Sequence, residues 1–570
     1  MIPVSRQCSA RPSTREKTEL WRSRTSARRQ RGRRANETQI TTAYERFLQQ
    51  TLWLHRIFSS TPDGFQFDLP HVLGNIEAIA RSAEPSYRLP MSRIVIVGAS
   101  IAGLSTGLLL ARAGHEVVVL DGDDVSPGGP DDVIARAFRP GAPHAVHAHA
   151  FLARGRAVLR DRLPDVLDRL REEGVIDLPL PPPPSIASQV VDRDPDLVFL
   201  MVRRPLAEWA LRAVAATQPY LEVRTGERVT GLVLDESGAV PRVTGVTLRS
   251  GGVQTADLVI DASGRRSSIV RGLSQSVAME PVVQSEDCGM VYFSRAYKVR
   301  SGTASLPPLN RGFAAGALLP RFGTLLAPCE NGHVIVAITP LAADVAMKSV
   351  HTSAVFDAVL RKVGPVSPWL DVLEPTSDVY SMGGLQSTLN RLVRNGIAVV
   401  HGLHLVGDAC STTNPTYGRG LSWALAHAGV LTDVIAQYPD DLDRQAKALD
   451  AWIETEIAPF YEDAVAGDRI RVAMMNRALL GQELTPAVSP PQSQLSKDPG
   501  RPTFMQLVSA SLSDAYVWHR LARYQSLLAT PNELYDDPKL RERISQLDSA
   551  AIPFPVPTGP TNEELAAILN

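Results

Sequence analysis

The chain is poor in cysteine. Among its 570 residues there are four, Cys8, Cys288, Cys329 and Cys410, and no two form a CxxC pair. That scarcity argues against a disulfide framework or a zinc ribbon and fits a reducing, cytoplasmic compartment. Long apolar runs are missing as well. No stretch reaches the ~18–20 apolar residues of a membrane span, and no signal-peptide segment follows the N-terminus. An excess of one charge sign is also absent. Lys and Arg total 59 against 60 Asp and Glu, a net charge of −1, so no global field recruits nucleic acid. There is no internal repeat, and no nucleophile, base and acid share a usable catalytic spacing. What remains is an ordinary globular composition, 44% hydrophobic and 21% charged, in a chain long enough for two or three domains.

The first ninety residues stand apart. "RSRTSARRQRGRR" (residues 22–34) is basic and lacks apolar periodicity. Such a patch can meet nucleic acid or an import receptor, but a solvated, disordered tail is the plainer expectation. Met91 sits directly before the first strand pattern, so residues 1–90 read as an N-terminal extension or an over-called translation start.

From residue 93 the pattern is strand, turn, helix, strand: "RIVIV", then "LSTGLLLARAG", then "HEVVVLD". "LEVRTGERVTGLVLDES" and "VTGVTLRS" alternate like hairpin strands. "ADLVIDASG" is a further buried strand, and "GMVYFSRAYKV" and "GHVIVAITP" are strand-like. From about residue 441 the spacing turns helical. The expectation is an α/β protein. A discontinuous nucleotide domain covers residues 91–180, 215–275 and 386–440. A mostly β substrate domain is inserted over 181–214 and 276–385, and a helical region follows over 441–570.

The strand "RIVIV" runs into "GASIAG". A helix that opens after such a turn aims free N–H groups and a positive dipole end at whatever lies above it, which favours a pyrophosphate. Gly98 permits the turn, and Gly103 lets the helix pack close to the strand. Ser100 replaces the middle glycine, and its hydroxyl could donate to phosphate. Asp121 ends the second strand 23 residues after Gly98, near the ~20-residue offset of a carboxylate that grips ribose hydroxyls. A plain strand-end acid is the alternative for Asp121.

A second unit reads "LVGDACSTTNPTYGRGLSWALAHAG" (residues 405–429). A short strand delivers Gly407 and Asp408, and Gly418 and Gly420 open a helix. Asp408 could accept hydrogen bonds from a polyol, and the N–H groups near Gly418–Leu421 could face another polar part of the same ligand. A flavin dinucleotide has both parts.

Three segments in this order resemble the FAD-dependent monooxygenase superfamily, the aromatic-hydroxylase and epoxidase-like flavoproteins: "VGASIAGLSTGLLLARAGHEVVVLD", "DLVIDASGRRSSIVR" and "VGDACSTTNPTYGRGLSWALAHA". Weaker likeness in "RPGAPHAVHAHAFLARG" and "RRPLAEWALR" extends the resemblance over most of residues 91–465. The resemblance implies a Rossmann-type FAD domain. It implies that Asp408 binds the ribityl chain, that Pro415 sits by the flavin ring and that Arg204 supports the flavin. The middle segment departs from the classical pattern: Ser263-Gly264 stands where hydroxylases carry Asp-Gly. That version is closer to epoxidase, halogenase and prenyl-reductase branches, and it leaves the electron donor open between NAD(P)H and a partner reductase. The Trp-rich motif of halogenases is missing.

The implied activity is monooxygenation, by hydroxylation or epoxidation, of a small apolar organic molecule with oxygen. A flavin-dependent alkene reductase of the prenyl type is the alternative, and a non-catalytic FAD-binding protein is a third reading. His144, His147 and His149 in "HAVHAH" invite a metal reading, but no Cys, Asp or Glu cluster accompanies them, and a loop lining the flavin pocket is the expectation. Cys410 reads as a small buried residue. Arg265 and Arg266 could meet an FAD phosphate or cover the surface.

Overall fold

The strand "RIVIV" is buried from Ile94 onward because it runs through the middle of a parallel sheet covered on both faces. Such strands are near-continuous apolar runs. The computed structural model describes residues 91–124, 128–131, 139, 141–482, 501–547 and 558–570. The expected tail over residues 1–90 lies outside them.

In the parallel sheet, β1 (Arg93–Val97) lies between β2 (Glu116–Leu120) and β4 (Leu258–Asp261); β3 (Leu221–Arg224) and β5 (Leu403–Leu405) form the edges, in the order β5-β4-β1-β2-β3. Val97 is in register with both Leu120 and Asp261, so the carboxyl ends of the three central strands come together. Three helices gather on this sheet. α1 (Ile101–Arg112) is flanked by α2 (Arg204–Ala215) and by α3 (Gly420–Gln437).

Two segments differ from the reading of the sequence alone. Leu221–Arg224 was expected in a hairpin, yet it pairs parallel to β2 as the sheet edge. The hairpin is made instead by Val229–Asp235 and Arg242–Leu248. Alternation marks a strand but not its partner. Residues 204–214, which the sequence pattern places in the substrate region, belong to α2 and bury Leu206, Ala210 and Leu211 in the same core as β1.

A second, antiparallel sheet is centred on the Tyr292–Val299 strand. His333–Pro340 flanks it on one side, with Phe322–Pro328 beyond. Leu373–Pro375 and Tyr380–Met382 flank the other. Alternate residues of the central strand face opposite ways. Phe293 and Tyr297 enter a second core with Phe356 and Trp369, which the C-terminal helix Asn562–Leu569 completes through Leu565. Tyr292 and Ser294 face the loops of the nucleotide fold, through Asn414 and His147. The helical region begins with Leu442–Trp452, passes through a π turn at Ile453–Ile457, and continues as α4 (Ala458–Leu479). Among the described residues no helix is long and apolar enough to cross a membrane.

Candidate functional site

The site forms where β1, β4 and β5 end. Gly98 has φ +105°, and a Cβ there would lie 2.5 Å from the Ala262 carbonyl oxygen. A Cβ at Gly103 would lie 1.8 Å from the Gly98 carbonyl oxygen. The close approach of the turn to α1 and to the end of β4 therefore demands glycine at both places. The first helical hydrogen bond of α1 runs from Leu104 N–H to the Ser100 carbonyl. The N–H groups before it have no partner inside the helix and face the space above the turn.

Asp121 is buried, and its two carboxylate oxygens accept the N–H of Ala99 at 2.7 Å and of Asp123 at 2.8 Å. It thus ties the end of β2 to the glycine turn. Ser100 does not turn its hydroxyl proton outward. It donates at 2.5 Å to Glu208 on α2 and accepts from Arg204 at 2.7 Å.

Glu208 is the buried hub of this region, and it was missed in the sequence reading. Arg139 donates to it at 2.7 Å and Arg204 at 2.9 Å, while Arg212 forms an ion pair at 3.5 Å. Burial alone would raise its carboxyl, but Arg139, Arg204 and Arg212 outweigh that and hold it well below the usual carboxylate range. The signal was present in "RPLAEWALR", where Arg204, Glu208 and Arg212 fall four residues apart on one helix face.

Arg204 also meets the His144 ring. Burial, then Arg204, drives His144 far below the ordinary imidazole value. His147 is pushed down to about 4, by burial and then by Arg265. His149 is pushed down to about 3, by burial and then by Arg204. His147 Nδ1 lies 2.8 Å from the Ser294 hydroxyl, and His149 Nδ1 lies 2.8 Å from the His147 carbonyl oxygen. The first of these joins the histidine loop to the antiparallel sheet, and the second braces the loop itself. Among the described residues no group of three or more His, Cys, Asp or Glu is placed to hold a metal ion.

The second motif meets the first. A Cβ at Gly407 would come within 2.8 Å of the Ala102 side chain on α1. Asp408 follows in a short 3-10 turn, and Gly420 at the head of α3 approaches its carboxylate. Among the described residues no hydrogen bond engages the Asp408 carboxylate. Burial raises it, and Arg204 and Arg265 only partly offset that. Pro415–Tyr417 form a turn that Gly418 closes in the left-handed conformation before α3 begins. Cys410 is fully buried, and burial pushes its thiol up to about 12, as befits a packing residue.

The middle motif is organised by Asp261, also missed in the sequence reading. Its carboxylate accepts from the Ser263 hydroxyl at 2.6 Å and from the Ser267 hydroxyl at 2.5 Å, and Ser267 caps the following helix. This positions Arg265 and Arg266 on a cleft of about 300 Å³, which His144, His147, Tyr380 and Met382 also line. Among the described residues no carboxylate forms an ion pair with either arginine.

The residues present fit an FAD. The N–H groups before the first helical hydrogen bonds of α1 (Leu104 to Ser100) and α3 (Trp423 to Arg419) have no partner inside their helices and suit its polar middle. The Asp408 carboxylate, without a hydrogen bond among the described residues, suits a polyol. The structure thus brings Gly98, Ser100, Gly103, Asp121, Arg204, Gly407, Asp408 and Gly420 to one region, with the Pro415–Gly418 turn at its rim.

Comparison with known proteins agrees with this architecture. Residues 96–166 match the NAD(P)-binding Rossmann-like domain family. Protein Rv3254 of Mycobacterium tuberculosis is 25% identical over 431 residues, covering 68% of this chain and 80% of that protein. A menaquinone reductase of Mycolicibacterium smegmatis is 29% identical over 350 residues, covering 58% of this chain and 73% of that one. The structure of the flavin-dependent brominase Bmp2 superposes with a TM-score of 0.52 at 16% identity, covering 79% of this chain and 96% of the brominase. The fold is therefore a Rossmann-type nucleotide-binding fold with an added antiparallel sheet, one that a flavin-dependent enzyme also adopts.

Proposed function

We propose that the chain is an FAD-dependent oxidoreductase, and that it is a monooxygenase that hydroxylates or epoxidises a largely apolar organic molecule. The observation that carries this reading is the convergence of two glycine-turn helices on the unpartnered carboxylate of Asp408. Gly98, Ser100, Gly103 and Asp121 would hold the ADP half. Arg204, Gly407, Asp408, Pro415, Gly418 and Gly420 would hold the flavin half. A bound flavin supplies the redox and oxygen chemistry. The protein residues bind, orient and exclude water. Asp408 would accept hydrogen bonds from the ribityl hydroxyls, and the neutral histidines of the 143–149 loop would wall the cofactor off from the cleft. That cleft, with Arg265 and Arg266 on one side and the Tyr380–Met382 strand on the other, is the proposed route for the substrate and for a nicotinamide donor or partner reductase.

The menaquinone reductase relative supports a second reading, a flavin-dependent reductase acting on a double bond or quinone. One experiment separates the two. The purified protein is assayed by absorption spectroscopy for bound flavin, reduced with NADH or NADPH, and offered lipophilic substrates under labelled oxygen. One labelled atom in the product is expected. Turnover that continues unchanged without oxygen would select the reductase, and a colourless protein that gains no stability from FAD would end both readings.

A further inference from the structure

Asp468 lies on α4, outside every motif singled out in the sequence, and is only 4% exposed. Its Oδ1 accepts the Asn414 amide at 2.9 Å and lies 3.3 Å from the Tyr417 hydroxyl, whose one proton it shares with the Ala464 carbonyl at 3.2 Å. Its Oδ2 is buried without a hydrogen-bond partner. Asn414 is the residue on which the Pro415–Tyr417 turn is built. Its Oδ1 accepts the Thr416 N–H at 3.1 Å and also the Tyr292 hydroxyl.

These bonds have a fixed direction. A backbone N–H can only donate, so Thr416 requires the carbonyl end of Asn414, and the amide end must face Asp468. Tyr292 therefore gives a proton to Asn414, and Asn414 gives one to Asp468. The chain joins three elements remote in sequence: a strand of the antiparallel sheet, the second glycine motif, and α4.

The charges around Asp468 are few. Arg471 on α4 and Arg419 at the head of α3 favour its ionised form. Both are engaged elsewhere: Arg419 donates to the Phe460 carbonyl at 3.1 Å and to Tyr524 at 3.0 Å, and Arg471 lies over the Tyr417 ring. Asp463 forms an ion pair with Arg419 at 3.8 Å. Just past the Val282–Asp287 strand, the Cys288 thiol is held protonated, pushed up to about 11 by burial. Burial dominates for Asp468, and its carboxyl is pushed up to about 6.

We propose that Asp468 is a positioning residue whose ionised carboxylate holds the Pro415–Gly418 turn in shape, and that a proton taken up on its free Oδ2 loosens that turn. The proposal rests on the reading that this turn faces a flavin. Hydrogen bonds to an ionised acceptor are roughly twice as strong as those to a neutral one. Protonation therefore weakens the grip on Asn414 and Tyr417 together without breaking the fold.

The test uses the full chain and measures FAD dissociation constants and the flavin absorption band between about pH 4 and 8. Wild type, Asp468→Asn and Asp468→Glu are compared. For wild type, affinity is expected to fall about fivefold on the acid side, with a band shift at the same midpoint near 6. Asp468→Asn keeps the shape without the charge. It is expected to show the acid-side affinity at every pH, while Asp468→Glu restores the pH dependence. A chain that binds FAD equally at all pH values, or an Asp468→Asn variant that titrates like wild type, overturns this inference alone. A chain that takes up no FAD at any pH overturns it together with the reading on which it rests.

Discussion

The Ser100 hydroxyl donates a 2.5 Å hydrogen bond to Glu208, a carboxylate 108 positions further along the chain. The serine that interrupts the glycine pattern thereby anchors α2 to the turn of β1 and α1. Through Glu208 it also reaches the three arginines around the site.

Removing Glu208 leaves Arg139, Arg204 and Arg212 facing one another without their shared acid. Breaking a buried ion pair from one side costs about 3–5 kcal/mol, so Glu208→Ala should lose stability of that order. Chemical denaturation would measure it. A loss below about 1 kcal/mol would place the variant with exposed surface pairs and contradict the buried-hub assignment.

The turn itself leaves no room at Gly103. A methyl there would sit 1.8 Å from the Gly98 carbonyl oxygen, so Gly103→Ala must push α1 off β1. Overpacking of this kind costs about 1–3 kcal/mol or more. The expected outcome is a lowered melting temperature together with weakened FAD binding. A variant as stable as wild type would show that α1 can slide without consequence.

Asp408 should behave in the opposite sense in the absence of cofactor. Its carboxyl is raised by burial, so the folded state binds its proton more tightly than the unfolded state does. The resulting destabilisation is absent in acid, below the unfolded value of about 3.9, and grows as pH rises past it. Asp408→Asn is therefore expected to stabilise the cofactor-free chain at neutral pH. The same change should weaken FAD binding by roughly ten- to a hundredfold, as an ionic acceptor is lost. Thermal melts and FAD titration of one preparation check both signs, and a variant weakened in both respects would refute the assignment.

The histidine loop sets an acid limit. His147 titrates at about 4 in the folded chain, against about 6.5 when unfolded. Between those values the unfolded state binds more protons, so stability falls as pH falls through that window. The slope approaches about 1.4 kcal/mol per pH unit for each such histidine. Urea midpoints measured across the window in wild type and His147→Gln should show a shallower slope in the variant. Equal slopes would mean that the imidazole is already charged.

Much of the architecture was legible in the residues. "IVIV" and "LVID" are buried runs because both faces of a parallel sheet are covered. Gly98 and Gly103 carry their spacing because the backbone cannot approach itself so closely with a Cβ in the way. Other features left no such trace. The partner of Leu221–Arg224 was not readable, since alternation has no address. The spacing of Glu208 puts it on one helix face with Arg204 and Arg212, but nothing local announces Ser100 and Arg139, which close on it from other elements. Asp468 sits in a long helix with nothing in its neighbourhood to distinguish it.

By itself, the sequence determined the local elements and the two glycine turns, because strand period, helix opening and the sterics of glycine act over a few residues. Only the tertiary structure decided which charges meet. Ion pairs and hydrogen bonds such as Ser100 to Glu208 and Asn414 to Asp468 span 108 and 54 positions. Burial, which raises Asp408 and Asp468, and the arginines that keep Glu208 ionised against it act only once the chain has folded around them.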